Sequence, residues 1–232
     1  MINIIPLEWD SNFFGLKVGR VDITSSEQSI NLVFQKQILK DQYDLIYIFG
    51  NHGISFNDVD AKLIDKKVVF SIKELPEFEY NKSVMAWPVE YGLSDELLEL
   101  ALESGKYSRF KMDYKMPSGS YERLYTRWIE QSVCHSIATD VFCYMIDNKP
   151  CGLVTIDIKN GIGNVGLVAI HANYQHQGIG TSLLRHVIRF AHEKQCMKLS
   201  VATQMNNNAA CHLYKKCGME IESITNIWHW WM

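Results

Sequence analysis

Gln175-His176-Gln177-Gly178-Ile179-Gly180-Thr181 is a stretch whose residue types and spacing suit the holding of an anion. It follows Val165 to Ile170, an apolar, β-branched run that reads as a buried strand. It opens onto a helix in which Ile179, Leu183, Leu184, Val187, Ile188 and Ala191 recur at spacings of three and four, giving one apolar face. A strand that turns into a helix leaves the first helical N–H groups without intrahelical partners. Those donors and the positive end of the helix dipole make a seat for a phosphate. Gly178 and Gly180 let the main chain come close to the anion, because no side chain stands in the way.

The elements that must position this loop can be read in order. Gly15 to Ile23 and Asp44 to Phe49 are strand-like, with a helix between them over Ser26 to Lys40. Asn57 is placed to cap a short helix through Ile64, and Lys67 to Ile72 is again strand-like. Such alternation favours an α/β layer with parallel pairing across each helix. Leu7 to Gly15, which holds Trp9, Asp10, Phe13 and Phe14, reads either as a loop pinned by its aromatics or as a substrate-facing wall carrying Asp10. Pro76 and Pro88 bracket a less regular passage, so the chain divides into 1–93, an N-terminal α/β domain, and 94–232. Ser94 caps a helix that runs to Glu103, and Tyr121, Leu124, Tyr125, Trp128 and Ile129 share one face of the next. Val141 to Ile146 and Gly152 to Ile158 form a hairpin across Asp147-Asn148, and Gly161 to Gly163 turns into the central strand. After the long helix come a strand over Lys198 to Thr203, a short helix over Asn207 to Cys217 and a last strand over Glu220 to Trp230.

Composition narrows the class. With 232 residues, 47% hydrophobic and 21% charged, the chain has the make-up of a globular protein able to bury two small cores. A net charge of -3 argues against a nucleic-acid partner. The N-terminal stretch lacks a signal sequence, and no segment is long enough to span a bilayer. Six cysteines without Cys-x-x-Cys pairing or zinc spacing point to reduced thiols, a cytoplasmic setting and no metal.

The spacing Gln175-x-x-Gly178-x-Gly180 after a strand resembles the acyl-CoA pyrophosphate loop of the GNAT acetyltransferase superfamily. A second stretch, Asn207 to Met219, resembles that superfamily's other signature through Asn207, Ala210, Leu213, Tyr214, Gly218 and Met219, with methionine in place of the more usual phenylalanine. The resemblance implies the acyl-CoA N-acyltransferase fold, α/β (α+β) in class, with an extra N-terminal α/β domain. It implies acetyl-CoA as cofactor, held by Leu167, Val168, Ala169, Ile170, Gln175, His176, Gln177, Gly178, Ile179, Gly180, Thr181, Asn207 and Ala210. Asn207 also reads as a helix cap and Tyr214 as a packed aromatic, and both readings are compatible with contact to the cofactor. In an acetyl transfer an amine attacks a thioester, an oxyanion forms and a thiolate leaves. An unpaired N–H near Leu167 to Ala169 suits the oxyanion. A phenol of pKa about 10 can protonate the thiolate while staying neutral, which makes Tyr214 the candidate general acid. Asp10, Glu74, Asp113 and His171 are candidate bases by type, and the base stays unassigned.

Leu7 to Gly15, Ser108 to Asp113 with Tyr121 to Ile129, and the Trp-rich terminus resemble the bacterial TDP-fucosamine acetyltransferases over essentially the whole chain. That resemblance implies acetylation of a TDP-linked amino-dideoxy sugar for polysaccharide synthesis, and a homodimer. Asp10, Arg109 and Asp113 lie in the shared stretches and are candidate substrate-binding residues. Arg109 has two readings, a bidentate contact to phosphate or an internal pair with Asp113. Rival readings are acetylation of a protein N-terminus or another small amine, and a non-catalytic acyl-CoA-sensing module.

Overall fold

The computed structural model describes residues 3–232; Met1 and Ile2, part of the stretch read as lacking a signal, lie outside the described residues. The chain runs β1 (Ile5–Pro6), α1 (Glu8–Phe14), β2 (Val18–Ile23), α2 (Ser26–Phe34), α3 (Lys36–Leu39), β3 (Leu45–Asn51), β4 (Ala61–Ile72), β5 (Val84–Ala86), α4 (Asp95–Ser104), α5 (Arg109–Met112), α6 (Ser120–Val133), β6 (Asp140–Ile146), β7 (Lys149–Lys159), β8 (Ile162–Ile170), α7 (Ile179–Glu193), β9 (Lys198–Gln204), α8 (Asn208–Lys216) and β10 (Glu220–Trp231). Among the described residues the strands form one 10-stranded sheet in the order β1-β2-β3-β10-β4-β9-β8-β7-β6-β5. The class is α/β, as the sequence predicts, and the parallel pairs are β2 with β3 and β8 with β9, each joined through helix.

Local chemistry accounts for most of these elements. Ser25 and Ser94 accept hydrogen bonds from Gln28 N and Leu97 N, capping α2 and α4. Asp147 and Asn148 adopt φ of 49° and 60°, the left-handed pair that a two-residue hairpin demands, between β6 and β7. Three expectations are corrected. Glu8–Phe14 is helix rather than loop; its N-cap is Leu7, which offers no side-chain cap, and Gly15 closes it at φ 69°. The Asn57–Ile64 helix does not form, because Ala61 onward extends as strand to pair with β10 along its length. The helix expected over Ser26 to Lys40 is two, α2 and α3, meeting at Gln35.

Two layers of helix cover the sheet. On one face α7 buries Ile179, Leu183, Leu184, Val187, Ile188 and Ala191, the six residues its periodicity picks out. Each buried aliphatic side chain of this kind contributes about 1.5–3 kcal/mol. They pack on Val154, Ile156, Val165, Leu199 and Val201 of the sheet. On the other face α1, α4 and α6 pack on Tyr47, Val141, Leu153, Leu167 and Ala169. Residues on either side of position 93 share the sheet: β4 lies between β9 and β10, and β10 lies between β3 and β4.

Candidate functional site

The site begins with an interruption in β8. Val154 pairs with Val168 and Ile156 with Val165, so Gly166 and Leu167 both stand opposite Thr155. An extra residue of this kind bends its strand and ends regular pairing. Pairing of β8 with β9 stops at Val165 opposite Val201, immediately before the bulge. Beyond that point the two strands part and leave a notch. Thr155 holds the bulge, because its Oγ1 accepts from Leu167 N at 2.9 Å. A Cβ on Gly166 would stand 2.6 Å from that oxygen, so the hydroxyl needs glycine beside it.

The bulge also decides which donors are free. His171 N donates to Cys151 O at 2.9 Å, toward β7. Amides alternate sides along a strand, so the N–H groups of Val168 and Ile170 face the notch instead. Gln175 Nε2 donates to Ile170 O at 3.3 Å and takes up a carbonyl on that side.

A cleft of about 800 Å³ runs through the notch. Leu167, Val168, Ala169, Ile170, Gln175, His176, Gly178, Ile179, Gly180, Thr181, Asn207, Ala210 and Tyr214 all border it. Gln177 is the one member of the expected cofactor set that does not; its Nε2 donates to Asn173 O at 3.4 Å. His176 and Gly178 have left-handed φ of 63° and 81°, just before α7, whose first residues border the cleft. No side chain caps α7, and its first turn carries no acidic residue. The space beside the Gly178 Cα is open, whereas a Cβ on Gly180 would approach Ile170 and Leu213 at 3.1 and 3.2 Å. Gly178 therefore serves the loop, and Gly180 serves close helix packing. An uncapped helix start with open space above it fits the diphosphate of acyl-CoA.

Asn207 Oδ1 accepts from Ala210 N at 3.2 Å and caps α8, which sets Tyr214 against the cleft. Tyr214 is 3% exposed and packs on Phe70, with ring centroids 5.5 Å apart. Burial pushes its phenol well above the usual tyrosine range, so it keeps its proton at neutral pH.

The expected substrate residues form a separate cluster that does not border the cleft. Arg109 lies over the Tyr47 ring, 4.0 Å from its centroid, with Nη1 3.3 Å from His229 Nε2. His229 Nδ1 is 2.6 Å from Asp113 Oδ2, which also accepts from Trp231 Nε1 at 3.0 Å. A guanidinium only donates, so His229 Nε2 accepts and its Nδ1–H donates to Asp113. Burial pushes His229 down to about 4, which keeps it neutral. Arg109 and Asp113 are thus joined through His229 rather than directly paired. Asp10 is half-buried on α1 and raised by burial, with the Arg109 charge opposing. Of the candidate bases, Asp10, Glu74, Asp113 and His171 all stand outside the cleft wall. His171 Nδ1 is engaged by Asn173 N at 3.2 Å.

The sequence reading did not single out Thr155, Gly166 or Gln204, which line the cleft together with Tyr125 and Trp128 of the aromatic helix face. A bulge leaves no mark on an apolar run, and the helical spacing of Tyr125 and Trp128 fits core packing as well as a pocket wall. Among the described residues no cluster of His, Cys, Asp and Glu is arranged to hold a metal, and no helix is long and apolar enough to cross a membrane.

Comparison with known proteins bears on this geometry. The profile of the acetyltransferase (GNAT) family matches residues 97–219. The chain is 26% identical to dTDP-fucosamine acetyltransferase of Escherichia coli over 225 residues, covering 95% of both proteins. It is 34% identical to streptothricin acetyltransferase A of Bacillus subtilis over 76 residues, 32% of this chain and less than half, 44%, of that protein. In fold it is similar to a conserved protein of unknown function from Staphylococcus epidermidis, with a TM-score of 0.64 and 15% identity over 98% of this chain and 90% of the other. The notch, the uncapped helix start and the family match agree: the chain belongs to the GNAT acetyltransferase family and is an acetyl-CoA-dependent N-acetyltransferase.

Proposed function

We propose that the chain acetylates the amine of a nucleotide-linked, TDP-type amino-dideoxy sugar, with Tyr214 as general acid. The observation that carries this reading is similarity to dTDP-fucosamine acetyltransferase across 95% of both proteins, including the strands that precede the family match. Bound acetyl-CoA would supply an activated acetyl group. The N–H groups of Ile179, Gly180 and Thr181 at the start of α7 would hold its diphosphate, and Asn207 and Ala210 would flank its pantetheine arm. Val168 N–H, turned into the notch, is the donor best placed for developing negative charge on an acyl oxygen. Tyr214 holds a proton at Oη that it can release to a departing thiolate, and burial keeps that proton in place until then. Polysaccharide synthesis and a homodimeric, cytoplasmic enzyme belong to the same reading.

The test is acetyl transfer from acetyl-CoA to TDP-amino sugars, N-terminal peptides and polyamines in parallel. Turnover of the nucleotide sugar above the others is the expected outcome, and preference for a peptide or polyamine would replace this reading. Tyr214→Phe is expected to lower kcat by about 100-fold or more with CoA affinity unchanged. Retention of most turnover by that variant would remove Tyr214 from the chemistry.

A further inference from the structure

The sheet is bare where central strands are normally covered. On the face packed by α4 and α6, Asn164 and Gly166 of β8 and Ala202 of β9 are exposed. The opposite face of the same strands is closed by α7 and α8. Central strands that show small and polar residues to solvent form a floor rather than a core. This floor continues sideways from the notch. Gln204 of β9 itself borders the cleft. Gln204 pairs with Lys67 of β4, and Lys67 pairs with Thr225 of β10, so the three side chains share one face in a row. Neighbouring strands lie about 4.8 Å apart, so Lys67 stands one strand spacing beyond the cleft wall.

Positive charge collects at the far side of this row. Arg20 of β2 lies over the Phe49 ring at 4.1 Å, and Arg109 of α5 lies over Tyr47 at 4.0 Å. Arg20 holds Asp22 at 2.8 Å. Among the described residues neither Lys67 nor Arg109 has an ion-pair partner. Burial and the charges of Arg20 and Arg109 push Lys67 below the usual lysine range, with Asp65 opposing. Two carboxylates face the same group, Asp10 of α1 and Asp65 of β4, and burial raises both. Like charges are crowded here without carboxylates in contact with Lys67 or Arg109, an arrangement that an incoming anion relieves.

We propose that the acceptor lies across Gly166, Ala202 and Gln204, and that a phosphate-bearing group at its non-reacting end is held by Lys67, Arg20 and Arg109. The inference rests on the nucleotide-linked acceptor proposed above and adds the place and residues of its diphosphate. It is separate from the helix start at α7, which serves the other diphosphate on the opposite side of the notch.

The test is calorimetric titration of thymidine diphosphate into protein already saturated with CoA, so that the α7 site is filled. Thymidine and inorganic pyrophosphate are titrated as separate arms. The expected result is binding of thymidine diphosphate and pyrophosphate but much weaker binding of thymidine, with about 10-fold loss in Lys67→Ala, as for one lost phosphate contact. Lys67→Arg should restore most of the affinity. Ala202→Leu, at an exposed position, should raise the KM for a TDP-amino sugar at least 10-fold with CoA affinity unchanged. Failure of thymidine diphosphate to bind the CoA-saturated protein, or equal binding by Lys67→Ala, would overturn the inference. If TDP-amino sugars are acetylated with unchanged KM in both Lys67→Ala and Ala202→Leu, this subsite is wrong and the acceptor reading stands. If only peptides or polyamines are acetylated, the acceptor reading fails first.

Discussion

Asp65 is a carboxylate that the fold does not account for. It is 9% exposed, its Oδ1 has no hydrogen-bond partner, and burial pushes it up to about 6 against the opposing charges of Arg109 and Lys67. A group whose pKa is raised on folding stabilises the fold fully below its unfolded value, and that contribution is lost as pH rises through the folded value. The window here runs from the ordinary aspartate value of 3.8 to about 6. Asp65→Asn is therefore expected to stabilise the protein above pH 7, by roughly 2–3 kcal/mol, and to change little near pH 4. Urea unfolding of both proteins at pH 4 and pH 8 checks this, and an equal effect at both values would contradict it. Nothing in the sequence marks Asp65, because it sits among alternating lysines and aliphatics that read as ordinary strand. Tyr214, by contrast, was singled out by the resemblance of Asn207 to Met219 to a family signature, and the fold places it on the cleft wall. Arg109 and Asp113 were legible as a pair of interest, but His229 between them comes from β10 and no local spacing could reveal it.

At the level of elements, the bulge in β8 is the feature that makes the cleft. Thr155 Oγ1 replaces the partner that the bulge denies to Leu167 N. Thr155→Val keeps the shape and removes the acceptor, leaving a buried N–H unsatisfied at a cost of about 1–3 kcal/mol. The expected outcome is that loss in chemical denaturation, together with weaker CoA binding as the notch edge loosens. A variant as stable and as tight-binding as the wild type would show that the hydroxyl is dispensable. Helix α7 was readable to the residue because its burial repeats with the helical period. α1 was not, because a seven-residue helix with Leu7 at its N-cap carries no capping signal. The long strand β4 was half misread, since its first residues take their conformation from pairing with β10 rather than from their own propensity.

On the scale of the whole molecule, the sequence conveys the order of elements but not their interleaving. Strand order β10-β4-β9 places a segment from the first third of the chain between two from the last sixth. Residues 94–232 produced alone would leave β9 and β10 facing a missing strand, and Val68 and Phe70, both 0% exposed, would be absent from the core. That fragment is expected to show no cooperative thermal transition by circular dichroism. A sharp transition close to that of the full chain would mean that β4 is an accessory rather than part of the fold.

The seat of β10 between β3 and β4 has a bearing on how the protein is made. During translation β3 and β4 leave the ribosome with their shared neighbour still more than a hundred residues from synthesis. Until Glu220–Trp231 arrives, each offers an open edge able to pair with any other extended chain. The tryptophan-rich strand thus acts as a late closing piece, and the nascent first third depends on shielding during that interval rather than on stability of its own.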